Sequence, residues 1–466
     1  MASFFKRQDT NMTEGSIMRH LIAFAVPLLI GNIFQILYNT VDSVVVGNFI
    51  GKEALAAVGS VGPIINTLIG FFLGLATGAS VVISQYYGAR DDKNVHEAVH
   101  TTLVMTFILC AVFTIAGVLI VPYMLRLMST PDDVIDGAAQ YLRIYFYGVT
   151  GLMVYNMGSG ILRAVGDSRR PLYFLIFSAL TNTVLDLVFV IYFGWGIAGV
   201  AIATIMAQCL SAALVLIVLT RTTASYSIIW SHMRLNTEML RKIWKIGMPS
   251  ALQQAITSFS NVFVQSYINQ FGSACMAGWT SYSKIDQFAL LPMQSLALST
   301  TTFVGQNLGA NNVNRARTGT NRAVVISLAI TAVLVVPVMI FADFLISMFN
   351  TDPEVIRYGT MFIRMISPFY LLCVINQIYA GSLRGAGEAR APMFIMILSF
   401  VVFRQIYLFV TSKLIGTVIP VMFGYPVGWL ICSVVIYIYY KFGGWESRRV
   451  VINESPKAEI ISRTNG

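Results

Sequence analysis

The stretch GILRAVGDSRRP, residues 160–171, decides the fold, because the chain contains a second copy of it. The copy, GSLRGAGEARAP at residues 381–392, lies 221 residues further on and keeps the Gly, Leu, Arg, Gly, Arg and Pro positions in register. The same offset aligns QYYGA at residues 85–89 with QNLGA at residues 306–310. Self-similarity at a fixed period indicates repetition of one structural unit. The chain is therefore predicted to consist of two related halves.

The composition of the 466-residue chain is that of a membrane protein. Hydrophobic residues make up 56% of it and charged residues 11%, whereas about a quarter of the residues are charged in soluble domains. The net charge of +10 is spread over single basic residues in the loops and forms no dense stripe, so a nucleic-acid partner is not expected. The expected environment is a lipid bilayer.

Twelve apolar segments, each long enough to cross a bilayer, follow one another between residues 17 and 441. They predict an all-α polytopic membrane protein with twelve transmembrane helices in two six-helix bundles. The N-terminal bundle is expected at residues 1–219, a cytoplasmic linker at 220–242, and the C-terminal bundle with a cytoplasmic tail at 243–466. Because six is even, both halves enter from the same side, which predicts a parallel repeat with a substrate cavity between the halves.

The distribution of Lys and Arg predicts the orientation. With the N-terminus taken as cytoplasmic, the termini and even-numbered loops hold 23 of the 31 basic residues, the odd-numbered loops hold 4, and 4 fall within helices. Under the positive-inside rule, both termini are expected in the cytoplasm and the protein in the plasma (inner) membrane. The N-terminal residues carry charges of both signs and no cleavage pattern follows them, so no removable signal peptide is expected.

Three acidic residues lie well inside apolar segments: Asp42, Asp186 and Asp286. A charged Asp at the centre of a membrane helix costs about 2.5 to 3.5 kcal/mol, so an acid at such a position indicates a functional site. The alternative is a structural carboxylate paired with a basic neighbour. For Asp42 and Asp186 no basic partner is evident on the same helix, which favours function.

Polar residues accompany Asp42 at helical spacing in the first predicted helix. Gln35, Tyr38 and Asn39 precede it by seven, four and three residues, which places all four on one face. A polar stripe of this kind in a membrane helix indicates a surface that faces a cavity and not the lipid.

A second polar pair occurs in the fifth predicted helix, where Asn182 and Asp186 share a face. Thr204, in the sixth helix, is expected at a similar depth. Two carboxyl groups with an amide and a hydroxyl in a poorly hydrated pocket can share a proton, or their oxygens can bind a hard monovalent cation. The sequence does not distinguish H⁺ from Na⁺.

The repeat provides an internal comparison for this cluster. At an offset of 221 or 222 residues, its four members stand opposite Val264, Phe403, Tyr407 and Tyr425. The second half therefore keeps the loop framework without the acids. Packing residues would recur in both halves, so the pattern favours a coupling site confined to the first half.

Asp286 differs because basic residues are expected near it. Lys284 lies two positions before it, and Arg404 is predicted at a comparable depth. A structural ion pair and a functional acid both remain open for Asp286. We predict that Lys284, Asp286 and Arg404 form a polar network in the second half.

Several of these motifs resemble those of the multidrug and toxic compound extrusion (MATE) transporters. They are LYNTVDSVVVGNFIG at residues 37–51, Asn-x-x-x-Asp at 182–186, GIAGVAIAT at 196–204, and the repeated LRxxG[DE]xRxP loops. The resemblance covers essentially the whole chain. It implies a V-shaped pair of six-helix bundles, alternating access, and export of organic cations or similar drugs in exchange for H⁺ or Na⁺.

The resemblance is to the branch with its acids in the N-terminal half. It implies an ion-coupling site at Asp42, Asn182, Asp186 and Thr204, and a bend of the first helix at Pro27 when the site is protonated. Another branch has acids in helices 7 and 10. The corresponding helices of this chain offer amides instead: Gln253, Gln254, Asn376 and Gln377.

The substrate cavity is expected at Gln35, Tyr38, Asn39 and Asn156, with small-molecule drugs or organic cations as ligands. No cofactor is expected beyond the coupling ion, and no metal beyond Na⁺ at the coupling site. The protein is expected to be a monomer and not an enzyme.

Two alternatives remain. A flippase of lipid-linked saccharides would share the architecture, but such flippases usually line the cavity with several basic residues, and Lys284 and Arg404 are the only central ones here. An intramembrane zinc metalloprotease is the remote alternative, because His96 to His100 match the HExxH pattern that binds zinc. That match lies at the mouth of the third predicted helix, without a convincing third ligand.

Overall fold

The computed structural model describes residues 10–128 and 130–451, and the described chain is helical, without strands. The first half contains α1 (Ile17–Val45), α2 (Lys52–Gly88), α3 (Asp92–Leu127), α4 (Asp132–Tyr147), α5 (Val149–Ala164), α6 (Arg169–Leu187) and α7 (Gly196–Arg221). The second half contains α8 (Thr237–Asn269), α9 (Ser273–Gly309), α10 (Val313–Ile340), α11 (Ala342–Ser347), α12 (Pro353–Ile366), α13 (Tyr370–Gly385), α14 (Arg390–Ile397), α15 (Arg404–Leu414) and α16 (Ile419–Phe442).

These helices make twelve membrane crossings in the described chain, as predicted, because several join end to end. α4 and α5 form one crossing, and α12 and α13 form another through the 3₁₀ turn Ser367–Phe369, where Pro368 has no N–H to donate. α14 and α15 join through the π-helical segment Leu398–Phe403. Nine helical runs in the described chain are long and apolar enough by themselves to cross a membrane. The three remaining crossings are α4 with α5, α8, and α9.

The hydrophobic cores of the two halves exchange the beginnings of two helices. Leu21 and Phe24 of α1 pack in the core of the second half, while Ile243 and Ile246 of α8 pack in the core of the first half. α1 and α8 occupy equivalent places in the repeat. The packed cores extend across the predicted boundary at 220–242, because these two helices pass from one bundle to the other. The boundary itself stays a prediction.

Both ends of the described chain lie on one side of the helix array, which we call the terminal side; the opposite side is the far side. Two glutamines connect the halves there. Gln85 Nε2 in α2 donates to the carbonyl oxygen of Gly385 at 2.8 Å, and Gln306 Nε2 in α9 donates to that of Ala164 at 2.9 Å. Both acceptors belong to the repeated loop sequences.

α2 and α9 also meet in direct backbone contact on the terminal side. A Cβ atom on Gly88 would lie 2.0 Å from the carbonyl oxygen of Gln306, and a Cβ atom on Gly309 would lie 1.9 Å from that of Gln85. No side chain fits at such distances, so the close approach requires glycine at both positions. The terminal side is therefore closed between the two halves.

Candidate functional site

Two carboxyl groups and one amide meet where α1, α6 and α7 pack together. Asp42 is 8% exposed, and Asn182 and Asp186 are completely buried. One end of the Asn182 amide lies 2.8 Å from Asp42 Oδ1 and 3.3 Å from Asp186 Oδ2, and its other end lies 3.3 Å from the backbone nitrogen of Thr204. With the amide nitrogen at the first end, Asn182 donates to both carboxylates. The structure thus brings together the four residues predicted as the ion-coupling site.

The hydrogen bonds of this cluster leave one oxygen without a donor. Asp186 Oδ1 is buried and has no hydrogen-bond partner among the described residues. The hydroxyl of Thr204 donates to the carbonyl oxygen of Val200 at 3.0 Å and not to a carboxylate. No Lys or Arg in the described chain forms an ion pair with Asp42 or Asp186. Because buried negative charge without a counter-charge is costly, the cluster favours uptake of a positive ion.

Both acids lie beside irregular helix segments near the far side. The π-helical segment Val46–Ile50 follows Asp42 at the end of α1, and Val188–Tyr192 follows Asp186 at the end of α6. π-helical turns are rare in proteins and occur frequently at functional sites. Their position beside both acids is a second indication, independent of charge, that this part of the first half is functional.

A cavity of about 310 Å³ opens beside the acids, and its lining residues all lie between positions 27 and 211. It is therefore lined by helices of the first half, whereas the substrate cavity was expected between the halves. The lining includes the four residues predicted for the substrate cavity and three of those predicted for ion coupling: Gln35, Tyr38, Asn39, Asn156, Asp42, Asn182 and Thr204. The polar stripe predicted for the first helix thus faces this cavity.

Sequence reasoning missed the aromatic wall of the cavity. Tyr141 and Tyr145 of α4 are buried, lie nearly parallel with ring centroids 6.5 Å apart, and line the cavity. Their spacing of four residues predicts a shared helix face. Nothing in that spacing distinguishes a cavity wall from a packed core, because the partner helix is not visible in the local sequence.

Pro27 lies inside α1 and lines the same cavity. Because proline has no N–H, the carbonyl oxygen of Ala23 lacks its usual helical partner. α1 nevertheless continues as one helix through this position. The predicted bend stays a prediction, and the missing hydrogen bond shows where α1 is weakest.

The predicted network of Lys284, Asp286 and Arg404 does not form. Asp286 Oδ1 accepts hydrogen bonds from the hydroxyl groups of Tyr282, at 3.1 Å, and Tyr370. Among the described residues, none of the three forms an ion pair with another. The reason is local: Tyr282 lies one turn before Asp286 on α9, and Tyr370 faces it from α13, so neutral donors occupy the place of a cation.

The HExxH match at residues 96–100 lies in α3 and contacts the segment that connects the two halves. The backbone nitrogen of Ile229 lies 3.0 Å from His100 Nε2, and Glu97 forms an ion pair with Arg234 at 3.3 Å. Within the described ranges, no group of three or more His, Cys, Asp or Glu side chains is arranged to hold a metal ion. The motif is therefore used for helix and linker contacts.

The repeated twelve-crossing fold, with an unpaired acid cluster beside an intramembrane cavity, defines a multi-pass membrane transporter. The chain belongs to the MatE family, whose model matches residues 27–188 and again residues 249–410. The two matches are offset by 222 residues, which agrees with the repeat found in the sequence. Proteins of this family are transporters and not enzymes, so the metalloprotease alternative is wrong.

Similar proteins cover almost the whole chain. The probable multidrug resistance protein YpnP of Bacillus subtilis is 29% identical over 94% of this chain and 98% of its own length. An FAD transporter of Shewanella oneidensis is 24% identical over 80% of this chain and 83% of its own length. A solved structure described as the outward-facing conformation of a multidrug resistance MATE family transporter has a TM-score of 0.88 and 24% identity, over 96% of this chain and 99% of that chain. This structural likeness confirms the fold.

Proposed function

We propose that the protein is a secondary active multidrug antiporter that exports organic cations or similar amphipathic drugs in exchange for protons. The observation that carries the proposal is the buried pair Asp42 and Asp186, which has no basic partner and of which Asp42 lines a cavity of about 310 Å³. Cavities of about 300 to 1,000 Å³ bind small molecules, and an acidic wall favours cations. The name of the Bacillus subtilis relative, a probable multidrug resistance protein, supports this substrate class.

The orientation follows from the basic residues. Because 23 of 31 lie at the termini and in even-numbered loops, we place the terminal side in the cytoplasm and the protein in the plasma membrane. In that orientation the contact between α2 and α9 at Gly88 and Gly309 closes the cytoplasmic side. The acids, near the far-side ends of α1 and α6, are then nearer to the outside. We therefore infer that this arrangement belongs to a state that releases drug outward.

The spacing of the cluster favours a proton as the coupling ion. The distances of 2.8 and 3.3 Å from the Asn182 amide to Asp42 and Asp186 are those of hydrogen bonds. Asn182 suits both states, because its nitrogen donates to ionised carboxylates and, after a turn of the amide, its oxygen accepts from a protonated one.

Exchange then results from competition for one negative site. A bound organic cation compensates one negative charge of the pair Asp42 and Asp186, and a proton arriving from outside neutralises one carboxylate and weakens drug binding. α1 is expected to adjust at Pro27, where a helical hydrogen bond is already missing. Opening of the contact between α2 and α9 then exposes the cavity to the cytoplasm.

The ion gradient supplies enough energy for export. One charge moving through ~100 mV releases about 2.3 kcal/mol, and each unit of pH difference adds about 1.36 kcal/mol. For a drug without net charge, the two terms together support a gradient of two to three orders of magnitude per proton at about 1.4 kcal/mol per tenfold. For a monovalent cation exchanged for one proton the charge movements cancel, so each unit of pH difference supports about one order of magnitude.

The flippase alternative is less well supported by the cavity. Among the lining residues that the structure describes, Arg163 is the one basic side chain; Asp42 lines the cavity, and Asp186 lies within hydrogen-bonding distance of Asn182, which also lines it. An acidic pocket repels the phosphates of a lipid-linked saccharide.

Dye efflux from vesicles reconstituted with the full chain tests the proposal. We expect export of a cationic dye under a pH gradient, and none under a sodium gradient at equal pH. Asp42→Asn and Asp186→Asn should abolish the dependence on the pH gradient, whereas Asp133→Asn, which changes an exposed acid in the first turn of α4, should retain it. Sodium-driven export would identify the other ion, and flipping of a lipid-linked saccharide without dye export would overturn the proposal.

A further inference from the structure

Arg404 is a buried positive charge in the second half that has no acidic partner. Its side chain is 3% exposed, and no Asp or Glu in the described chain forms an ion pair with it. Its Nε is buried without a hydrogen-bond partner. An ionisable residue at membrane depth is costly and is a functional candidate by default. The family function proposed above does not use this residue.

Neutral groups hold the guanidinium in place. One terminal nitrogen, Nη2, donates to Ser260 Oγ at 2.8 Å and to Asn261 Oδ1 at 3.0 Å, and the guanidinium carbon lies 4.7 Å from the centre of the Tyr425 ring. Asn261 is exposed and Tyr425 is partly exposed, so the group lies just behind an accessible surface. An arginine fixed by neutral partners keeps its positive charge available for an anion.

The helix before Arg404 is irregular in the same way as the helices that carry the acids. The π-helical segment Leu398–Phe403 ends directly before Arg404, and the carbonyl oxygen of Phe400 within it accepts a hydrogen bond from Ser260 Oγ at 3.1 Å. Such segments occur frequently at functional sites. The irregular turn therefore positions Arg404 against α8.

Arg404 lies in the place of the repeat where the first half has its acids. The acid site is formed by α1, α6 and α7, and the repeat relates these helices to α8, to α14 with α15, and to α16. Arg404 of α15 contacts Asn261 of α8 and Tyr425 of α16. Asn261 is the repeat partner of Asn39, and Tyr425 is that of Thr204. The two halves thus present opposite charges among corresponding helices, although Arg404 itself aligns with Thr183 and not with an acid.

We propose that Arg404, with Ser260, Asn261 and Tyr425, forms a subsite for an oxyanion, a carboxylate or phosphate group, of the transported molecule. The planar guanidinium matches the two oxygens of such a group, and its unpartnered Nε is a free donor. This inference rests on the proposed function, and it assigns the second half a contact with an anionic group of the transported molecule.

Transport of two matched dyes tests the subsite. The probes are a cationic xanthene dye with a free carboxylic acid and the methyl ester of the same dye. We expect Arg404→Gln to weaken the ability of the acid dye to compete for transport about tenfold or more, because a charge-assisted interaction is lost. The ester dye should compete equally well in the variant and in the unaltered protein. Lys413→Gln also removes one positive charge, but from an exposed position on the same helix, and it should leave the transport of both dyes unchanged. An equal loss for acid and ester, or no loss for either, would overturn the subsite.

Thermal melting of the purified full chain tests the same site without transport, so that failure of the proposed function is recognised separately. Benzoate and inorganic phosphate should raise the melting temperature of the unaltered protein and of Lys413→Gln, but not that of Arg404→Gln. Equal stabilisation of all three proteins, or of none, contradicts an oxyanion site at Arg404. If Arg404→Gln does not fold, Arg404→Lys replaces it in both experiments, with a smaller difference expected because the charge remains and the planar fork is lost.

Discussion

Gln85 and Gln306, which the repeat places at equivalent positions, each bind a loop of the opposite half and one end of the chain. Gln85 Oε1 accepts from the backbone nitrogen of Val450 at 2.7 Å, and Gln306 Oε1 accepts from that of Met12 at 2.9 Å. Their amide nitrogens donate to the repeated loops across the interface. Two equivalent sets of glutamine hydrogen bonds, one from each half, therefore hold the terminal side closed.

This arrangement predicts separate effects of the two glutamines. Gln306→Ala should speed hydrogen exchange in the segment around Met12, and Gln85→Ala should speed it around Val450, since each lost hydrogen bond contributes about 1 kcal/mol. Mass spectrometry of the exchanged peptides measures both. Each variant serves as the control for the other, and equal exchange at both termini in both variants would show that the glutamines do not hold them.

The backbone contact at Gly309 predicts a steric effect. Gly309→Ala places a Cβ atom 1.9 Å from the carbonyl oxygen of Gln85, so α2 and α9 must separate and the protein should melt at lower temperature. Gly59→Ala is the matched control, because no atom lies within 4 Å of a Cβ there and Ala favours the helix. If both variants melt alike, the tight crossing is not required for stability.

The tyrosine contacts of Asp286 predict that its acceptor oxygen matters more than its charge. Asp286→Asn keeps an oxygen for Tyr282 and Tyr370 and should change the melting temperature little. Asp286→Leu leaves both hydroxyls without that partner and should cost about 1 to 3 kcal/mol. Melting in detergent, compared with pH-driven dye export, separates the effects. Loss of coupling in Asp286→Asn with normal melting would assign this acid a role in transport.

The sequence predicted the parts of the fold that depend on composition and repetition. Apolar segments gave twelve crossings, and the polar stripe from Gln35 to Asp42 gave the face of α1 that lines the cavity. Intramembrane acids are rare, so Asp42 and Asp186 could be recognised as candidates, and the family resemblance grouped them with Asn182 in one site. These features are local or repeated, so one chain contains enough information to find them.

The features that the sequence did not predict depend on contacts between distant helices. The partner of Asp286 on α13, Tyr370, lies 84 residues away, and no charge pattern identifies a tyrosine. The exchange of Leu21 and Ile243 between the cores requires knowing that α1 and α8 pass between the bundles. The alignment of Gln85 with Gln306 was visible, but their role depended on the loops they meet.

Proton release on drug binding tests most directly whether Asp42 and Asp186 couple drug to ion. Purified protein in weak buffer, at a pH where the site is protonated, is mixed with a cationic dye while a pH indicator is followed. Because drug and proton compete for one site, binding should release protons in the unaltered protein and in Asp133→Asn. Asp42→Asn and Asp186→Asn should bind dye without that release. Unchanged proton release in both of these variants would contradict the account.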